Sequence, residues 1–255
     1  MTITADQTWL AGFLLALVRA TAWVFTCPPF GTRLVPTPVK IGLAAALTLS
    51  LGARLDAMAV PLEAGPLIGA AVLQACAGVA LGFVGVLLFS AFSAAGSMID
   101  LFGGFTAAQL YDPLTQQTSS VFGRFYQLLS TVLLFAVGGH LLLVRGFLDS
   151  FHAAPLALPG GPGGAVAGGM TGAVGAFFLA ALEIAAPLLG ALFLADIALG
   201  LLARSAPDLN VLLLGLPGKL LLTISAAGLT FPLLPGAVHS ITEAVVRAGH
   251  SMFSG

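Results

Sequence analysis

The chain has 255 residues, of which 58% are hydrophobic and 7% are charged, and its formal net charge is −1. A soluble domain carries roughly 25% charged residues, so this chain has too few ions to cover a water-facing surface and is predicted to be an integral membrane protein. Its nine basic residues stand singly and form no patch for a nucleic-acid backbone, which excludes nucleic-acid binding.

The chain begins with a polar stretch that contains no basic residue ahead of the apolar run at Leu10. A cleaved signal peptide has such a basic region, so the first helix is expected to be retained. Apolar runs predict six helical blocks: residues 10–27, 39–52, 67–99, 125–148, 165–202 and 211–234. A span needs about 20 residues, so the second block is short, and the third and fifth are long enough to be bent, tilted or doubled.

Proline and glycine mark the joins between the blocks. They cluster in residues 27–40, 61–66 and 155–164, where fixed and positive φ angles stop helices. The join near 155–164 is the most flexible, within what is otherwise expected to be one domain over residues 1–255. Pro187 lies inside the fifth block and leaves a carbonyl without its helical donor, which predicts a broken helix buried among protein.

Pairs of glycines four residues apart lie on one helix face and allow close approach between helices. Gly78 and Gly82 form one such pair, and Gly168 and Gly172 form another. Each pair fits packing within the chain as well as packing against a different subunit.

The longest polar interruption runs over residues 96–124 and separates two strongly apolar blocks. Gly104 weakens a helix and Pro113 drives Asp112 out of the α region, so the segment cannot be one continuous helix. It also holds apolar side chains such as Phe105, which would be costly to expose in a solvated linker. Two interpretations remain open: a re-entrant or gate-like loop, or a packed connection between helices.

Ionisable residues are rare inside the apolar blocks and are therefore functional candidates. His140 lies alone in an apolar helix, where it could relay protons near neutral pH or act as a hydrogen-bonded packing residue. Arg145 and Asp149 are four apart on one helix face and are expected to form an ion pair. Asp196 and Arg204 lie in a stretch that otherwise avoids charge.

No catalytic or metal-binding motif is present in the sequence. There is no GxSxG turn for a serine nucleophile, no HExxH pair for zinc and no phosphate-binding loop that ends in Lys-Ser or Lys-Thr. Cys27 and Cys76 lack the dense, even spacing of a disulfide framework and are expected to be free. We expect no enzymatic activity and no bound cofactor or metal.

Three ordered signatures connect the chain to a known family. The first is PPFGTRLVPTPVKIGLA; the second is GSMIDLFGGF, then YDP, then GGHLLLVRGFLDSF; the third is EIAAPLLG, then LGLLARSAPDLNVLLLGLPGK. Read together, they resemble the FliR family of type III secretion export-gate membrane proteins, which has flagellar members and virulence-system counterparts. The resemblance covers most of the chain.

The resemblance implies an all-α, multi-helix integral membrane protein with bent or broken helical hairpins, packed in a hetero-oligomeric helical export-gate assembly. The implied partners are FliP-like and FliQ-like export-gate subunits, an FlhB-like protein and unfolded export substrates. The implied location is the bacterial inner membrane at the flagellar basal body. The chain has no nucleotide site, so energy for export would come from other components.

The resemblance also implies roles for individual residues. An apolar gate or plug would lie between a helix end that bears an aspartate and an Asp-Pro turn. Its residues would be Gly104, Phe105, Ala107, Leu110, Tyr111, Asp112 and Pro113. Residues with assembly or structural roles would be Asp100, His140, Pro187, Asp196, Arg204, Pro207 and Asn210. Arg204 is expected to pair with Asp208 or with a carboxylate of a partner.

Two alternative functions stay open at the level of sequence. An autonomous secondary transporter would bind a coupling ion at a broken helix, through Asp196, Glu183 or His140. The chain could also be the homologous subunit of a virulence injectisome rather than of a flagellum.

Overall fold

The computed structural model describes residues 2–52, 62–106, 120–153, 156, 163–205 and 211–253, and these residues contain helices but no strand. The predicted all-α fold is confirmed. In chain order the elements are α1 (Thr2–Thr26), α2 (Pro28–Gly31), α3 (Thr37–Ser50), α4 (Ala64–Gly103), α5 (Val121–Ala136), α6 (Gly139–Ala153), α7 (Gly163–Ser205), α8 (Val211–Thr230), a short 3-10 helix (Phe231–Leu233) and α9 (Leu234–Ser251).

Four candidate membrane spans occur in the described part of the chain. They are Gln7–Thr26, Ala64–Gly103, Gly168–Ser205 and Gly215–Ser251, and the bent pair of α5 and α6 adds a fifth if it forms one span. The shorter apolar helix α3 corresponds to the second predicted block. Length and apolar composition therefore define a multi-span membrane protein.

Two of the helices are much longer than a bilayer requires. α4 has 40 residues and α7 has 43, which at 1.5 Å per residue gives about 60 Å for each. α7 continues through Pro187, so the break predicted at that residue was wrong. A proline removes one backbone hydrogen bond, and the many bonds on either side hold the remainder of this long helix together.

The bend predicted for a helical hairpin occurs instead at Gly138. The fourth block was expected to be one helix, but α5 ends at Ala136 and α6 begins at Gly139. Gly138 takes φ +72°, a left-handed conformation that is readily open to glycine and ends a helix. The break was not predicted because apolar residues flank Gly138 on both sides and the apolar run continues through it.

The last helix was missed by the apolar pattern. Residues beyond 234 form α9, which contains His239, Glu243, Arg247 and His250. These polar residues lower the mean hydropathy, although a helix with one polar face keeps its 3.6-residue period.

The chain divides into two compact units. The first comprises Met1–Leu88, Gly138–Ala176 and Thr242–Gly255, and the second comprises Phe89–Val137 and Phe177–Ile241. The single domain expected from the sequence remains a prediction.

The first unit contains a buried arginine. Arg19 of α1 is fully buried; its Nε donates to Oε1 of Gln74 at 2.6 Å, and its Nη1 donates to the carbonyl of Ser150 at 3.2 Å. Its guanidinium lies 4.3 Å from the ring centre of Phe151, and Nε2 of Gln74 donates to the carbonyl of Leu156 at 3.0 Å. Arg19 therefore joins α1, α4 and the end of α6 through polar contacts inside an apolar core.

The glycine pair of α4 packs within the first unit. A Cβ on Gly78 would fall inside contact distance of the Arg19 carbonyl and 2.8 Å from Cβ of Ala22, and a Cβ on Gly82 would collide with Thr26. By contrast, Cβ atoms on Gly168 and Gly172 would meet nothing within 4 Å. The first pair thus lets α4 approach α1, while the second leaves an open face.

Candidate functional site

The loop between α4 and α5 has a defined start in the second unit. α4 ends at Gly103, and Gly104 takes φ +86°, which glycine adopts without strain. A Cβ on Gly103 would lie 2.9 Å from side-chain atoms of Thr223, so α4 approaches α8 closely here. Phe105 follows in a half-buried position. The loop therefore leaves α4 through a tight turn that packs on α8.

The other end of the loop is fixed by a helix cap. Ser120 is the N-cap of α5, and its hydroxyl accepts a hydrogen bond from the backbone N–H of Gly123 at 2.7 Å. A serine in this position satisfies one of the backbone donors that a helix start leaves without a partner. The structure therefore sets where α5 begins and how the chain enters it.

Asp100 connects the two ends of the loop. Its carboxylate is 2% exposed and accepts the hydroxyl of Ser120 and the backbone N–H of Phe122, the latter at 3.0 Å to Oδ2 and 3.2 Å to Oδ1. A negative charge at the start of α5 is also favoured by the helix dipole. One buried carboxylate on α4 thus clamps the start of α5, and we name this arrangement the Asp100 clamp.

Packing around the clamp supports the hydrogen bonds. The rings of Phe105 and Phe122 meet edge to face with centroids 5.3 Å apart, a favourable arrangement for aromatic pairs. A Cβ on Gly96 would lie 2.5 Å from the backbone nitrogen of Gly123. Glycine at this crossing lets α4 and α5 approach closely enough for Asp100 to reach its partners.

Most of the predicted gate lies outside the described residues. The structure describes Gly104 and Phe105 only. The others fall in residues 107–119 and comprise Ala107, Leu110, Tyr111, Asp112 and Pro113. What the structure provides is the frame: the sites where this segment leaves α4 and enters α5.

An ion pair joins two apolar helices of the second unit. Nζ of Lys219 on α8 lies 2.6 Å from Oδ1 of Asp196 on α7, and the two side chains are 17% and 44% exposed. Removing charges from water is costly, and a partner at hydrogen-bond distance offsets part of that cost. Asp196 is therefore paired within the chain with a partner that was not predicted from the sequence.

The remaining predicted residues are dispersed. His140 is half-buried near the start of α6, and Arg204 is exposed at the end of α7. Pro187 is exposed and lines a cavity of about 130 Å³ together with Glu183 and residues of α9. Pro207 and Asn210 lie outside the described residues, as does Asp208, the expected partner of Arg204.

The two cysteines and the charged pair on α6 agree with the sequence-based predictions. Cys27 and Cys76 are free, as predicted, and Arg145 and Asp149 approach to 4.0 Å, as predicted. No group of three or more His, Cys, Asp or Glu side chains that could hold a metal occurs in the described segments.

Two contacts of the candidate site were missed from the sequence. Ser120 precedes an apolar run, which is a recognisable helix-start signal, but its bond to Asp100 spans twenty residues and follows from the tertiary packing. Lys219 is an isolated cation in an apolar block, a signal that calls for a search for a carboxylate partner.

The fold and the site define a class: an all-α, multi-span membrane protein in which a buried aspartate of α4 holds the start of α5. A family model described as Bacterial export proteins, family 1, matches residues 10–245. The chain therefore belongs to this family, and it is a membrane-embedded component of a bacterial export system.

Individual relatives are similar over most of their length. Flagellar biosynthetic protein FliR of Escherichia coli (strain K12) is 34% identical over 245 residues, which cover 94% of this chain and 93% of the relative. FliR of Bacillus subtilis (strain 168) is 33% identical over 211 residues, covering 82% and 81%. Yop proteins translocation protein T of Yersinia pestis is 35% identical over 149 residues, covering 56% and 55%. These matches confirm the family resemblance found in the sequence.

Proposed function

We propose that the chain is a structural and channel-forming component of the type III secretion export gate, and that it enables unfolded flagellar proteins to cross the bacterial inner membrane at the flagellar basal body. Its role is non-enzymatic and uses no cofactor. The main support is membership of the export family over residues 10–245, combined with a loop whose two ends meet at the buried Asp100 clamp.

The clamp supports a gating role for the segment between Gly104 and Ser120. Asp100 on α4 holds Ser120 and Phe122 at the start of α5, so the segment would begin and end on the same pair of helices. Its apolar residues would favour a dewetted constriction that blocks ions and water. Such a seal opposes leakage while a translocating chain can still part it.

The exposed apolar faces support an assembly with other subunits. Within the most apolar 18-residue stretch of α7, only 28% of the residues are buried within the chain. The side chains of Phe178, Leu182 and Phe193 are each more than half exposed. We assign these faces to FliP-like and FliQ-like neighbours, with an FlhB-like protein as a further partner. Packing against protein would also place Asp196 and Arg204 away from lipid, where isolated charges are costly.

The flagellar role is favoured over the virulence role by coverage. The flagellar relative from Escherichia coli matches 94% of this chain, whereas the Yersinia pestis translocation protein matches 56%. An autonomous transporter is disfavoured because Asp196, one of its candidate ion ligands, is already paired with Lys219.

Copurification with the assembly tests the proposal. Arg204→Ala should reduce the amount of FliP-like and FliQ-like subunits recovered with tagged full-length chain, because an exposed cation at the end of α7 would lose its contact with a partner. Arg33→Ala removes another exposed arginine and is the matched control. A wild-type chain that purifies as a lone monomer and restores flagellar export without the partners would refute the proposal.

A further inference from the structure

A charged pocket lies between α6 and α9 in the first unit. Its volume is about 270 Å³, and the helices meet beneath it where a Cβ on Gly146 would lie 2.8 Å from the side chain of Val246. The pocket is lined by Leu142, Arg145, Gly146, Asp149, Glu243, Val246 and Arg247. Two of the chain's nine basic residues and two of its ten acidic residues therefore line one cavity.

The two arginines keep hydrogen-bond donors available for a ligand. Nε of Arg145 lies 4.0 Å from Asp149, which is too long for a hydrogen bond. Nη1 of Arg247 donates to Glu243 at 3.2 Å, which uses one of the five N–H groups of a guanidinium. The side chains are 81% and 68% exposed. Both guanidiniums can therefore turn toward an anion without leaving their carboxylate neighbours.

An apolar groove adjoins this pocket. It has a volume of about 490 Å³ and is lined by small residues of α7 and α9, which are Gly168, Gly169, Gly172, Ala173, Ala176, Ala248 and Ser251, with Arg247. Arg247 thus borders both cavities. Cβ atoms on Gly168 and Gly172 would meet nothing within 4 Å, so the groove is open on its α7 side.

We propose that these two cavities together bind one phospholipid with a zwitterionic headgroup that ends in a primary ammonium, as in phosphatidylethanolamine. The phosphate would accept hydrogen bonds from Arg145 and Arg247, which suit tetrahedral anions. The ammonium would donate to Asp149 and Glu243, and an acyl chain would lie along the glycine groove. This site is independent of the proposed export role, because no residue of the Asp100 clamp takes part.

The arrangement of charges selects the headgroup. Phosphatidylglycerol supplies the phosphate but no cation for the two carboxylates. Phosphatidylcholine supplies a cation whose methyl groups leave no N–H to donate. Soluble glycerophosphoethanolamine supplies both charges but lacks the acyl chains that the groove would bury. Only the complete lipid matches the polar and the apolar part of the site.

Native mass spectrometry of the full-length chain in detergent tests the proposal. The protein is titrated separately with phosphatidylethanolamine, phosphatidylcholine, phosphatidylglycerol and glycerophosphoethanolamine, and the bound fraction is measured. We expect the first lipid to bind about tenfold more tightly than each of the other three, the effect of losing roughly one charge-assisted contact.

Variants separate the headgroup site from the groove. Arg247→Gln should weaken phosphatidylethanolamine binding about tenfold, whereas Arg33→Gln, at an exposed arginine elsewhere, should not. Gly172→Leu should block the groove, while Gly175→Leu is its matched control: both positions lie on α7, both have open space, and only Gly172 lines the groove.

Each possible outcome decides the proposal. Selective binding that is lost in Arg247→Gln and Gly172→Leu and kept in both controls supports it. Equal binding of all three lipids, preference for phosphatidylglycerol or phosphatidylcholine, or unchanged binding in Arg247→Gln or in Gly172→Leu overturns it. Equal binding of glycerophosphoethanolamine overturns the acyl-chain part. Should Arg247→Gln fail to fold, as judged by circular dichroism, the Gly172 and Gly175 pair decides alone.

Discussion

Removing the Asp100 carboxylate should release the base of the loop between α4 and α5. Asp100→Ala deletes the acceptor of two donors, the Ser120 hydroxyl and the Phe122 backbone N–H. The aspartate is 2% exposed, so water cannot readily replace it in the folded state. Ser120 then keeps its bond from Gly123 but loses its tie to α4.

The size of the effect follows from the two lost contacts. A hydrogen bond to a charged group contributes about 1.5 kcal/mol at the low end, so two contribute about 3 kcal/mol to holding the start of α5 closed. This corresponds to about a hundredfold larger population of the opened state. Asp100→Asn keeps one acceptor oxygen for one donor, so we expect an increase of about tenfold.

Hydrogen exchange measures this opening directly. Amides at Phe122 and Gly123 of the full-length chain in bilayer nanodiscs should exchange about a hundredfold faster in Asp100→Ala, because local opening governs their exchange. Glu183→Ala removes an exposed carboxylate elsewhere in the second unit and is the control. Exchange within about threefold of the parent chain in Asp100→Ala would refute the clamp.

Three further predictions concern the helix contacts. Arg19→Lys keeps the charge but loses the planar guanidinium that donates to two acceptors. The full-length chain should therefore unfold at a lower temperature, with a free energy of unfolding reduced by about 2–3 kcal/mol. An unchanged unfolding temperature would contradict the buried contacts. Asp196→Asn and Lys219→Met should each destabilise the chain. A double-mutant cycle should give a coupling energy of about 1 kcal/mol between the two residues, a modest value because both side chains are partly exposed. A coupling energy of zero would contradict the ion pair. Gly78→Ala should cost about 1–3 kcal/mol in denaturant unfolding through overpacking against α1, whereas Gly69→Ala, which meets open space on the same helix, should not; equal effects would contradict the close approach.

The sequence predicted the fold class because its signals are local. Apolar runs and their lengths indicate membrane helices, and Gly104 and Pro113 locate an interruption without any tertiary information. The same local reasoning missed the break at Gly138. Hydrophobicity does not report backbone conformation, so an apolar run looks the same whether or not a glycine within it takes a positive φ. It also placed a break at Pro187, where α7 continues.

Tertiary partners could not be read from the sequence in the same way. Asp100 was named as a site residue, but its partners lie twenty and twenty-two residues away and are brought near by the crossing of α4 and α5. Arg19 was overlooked although a lone arginine in an apolar helix is itself a signal of a buried contact. Its acceptors on Gln74 and Ser150 are selected by helix packing, which one chain's residue pattern does not encode.

The proposed function depends most on the segment beyond Gly104 acting as a seal in the assembled export gate. The direct measurement is ion conductance across a lipid bilayer that contains the complete assembly, with the parent chain or with a chain that lacks residues 105–111. We predict a low conductance for the parent assembly and a clearly raised leak for the shortened chain, because the apolar barrier to water and ions is removed. Equal conductance of the two assemblies, with equal recovery of all subunits, would contradict the gating role.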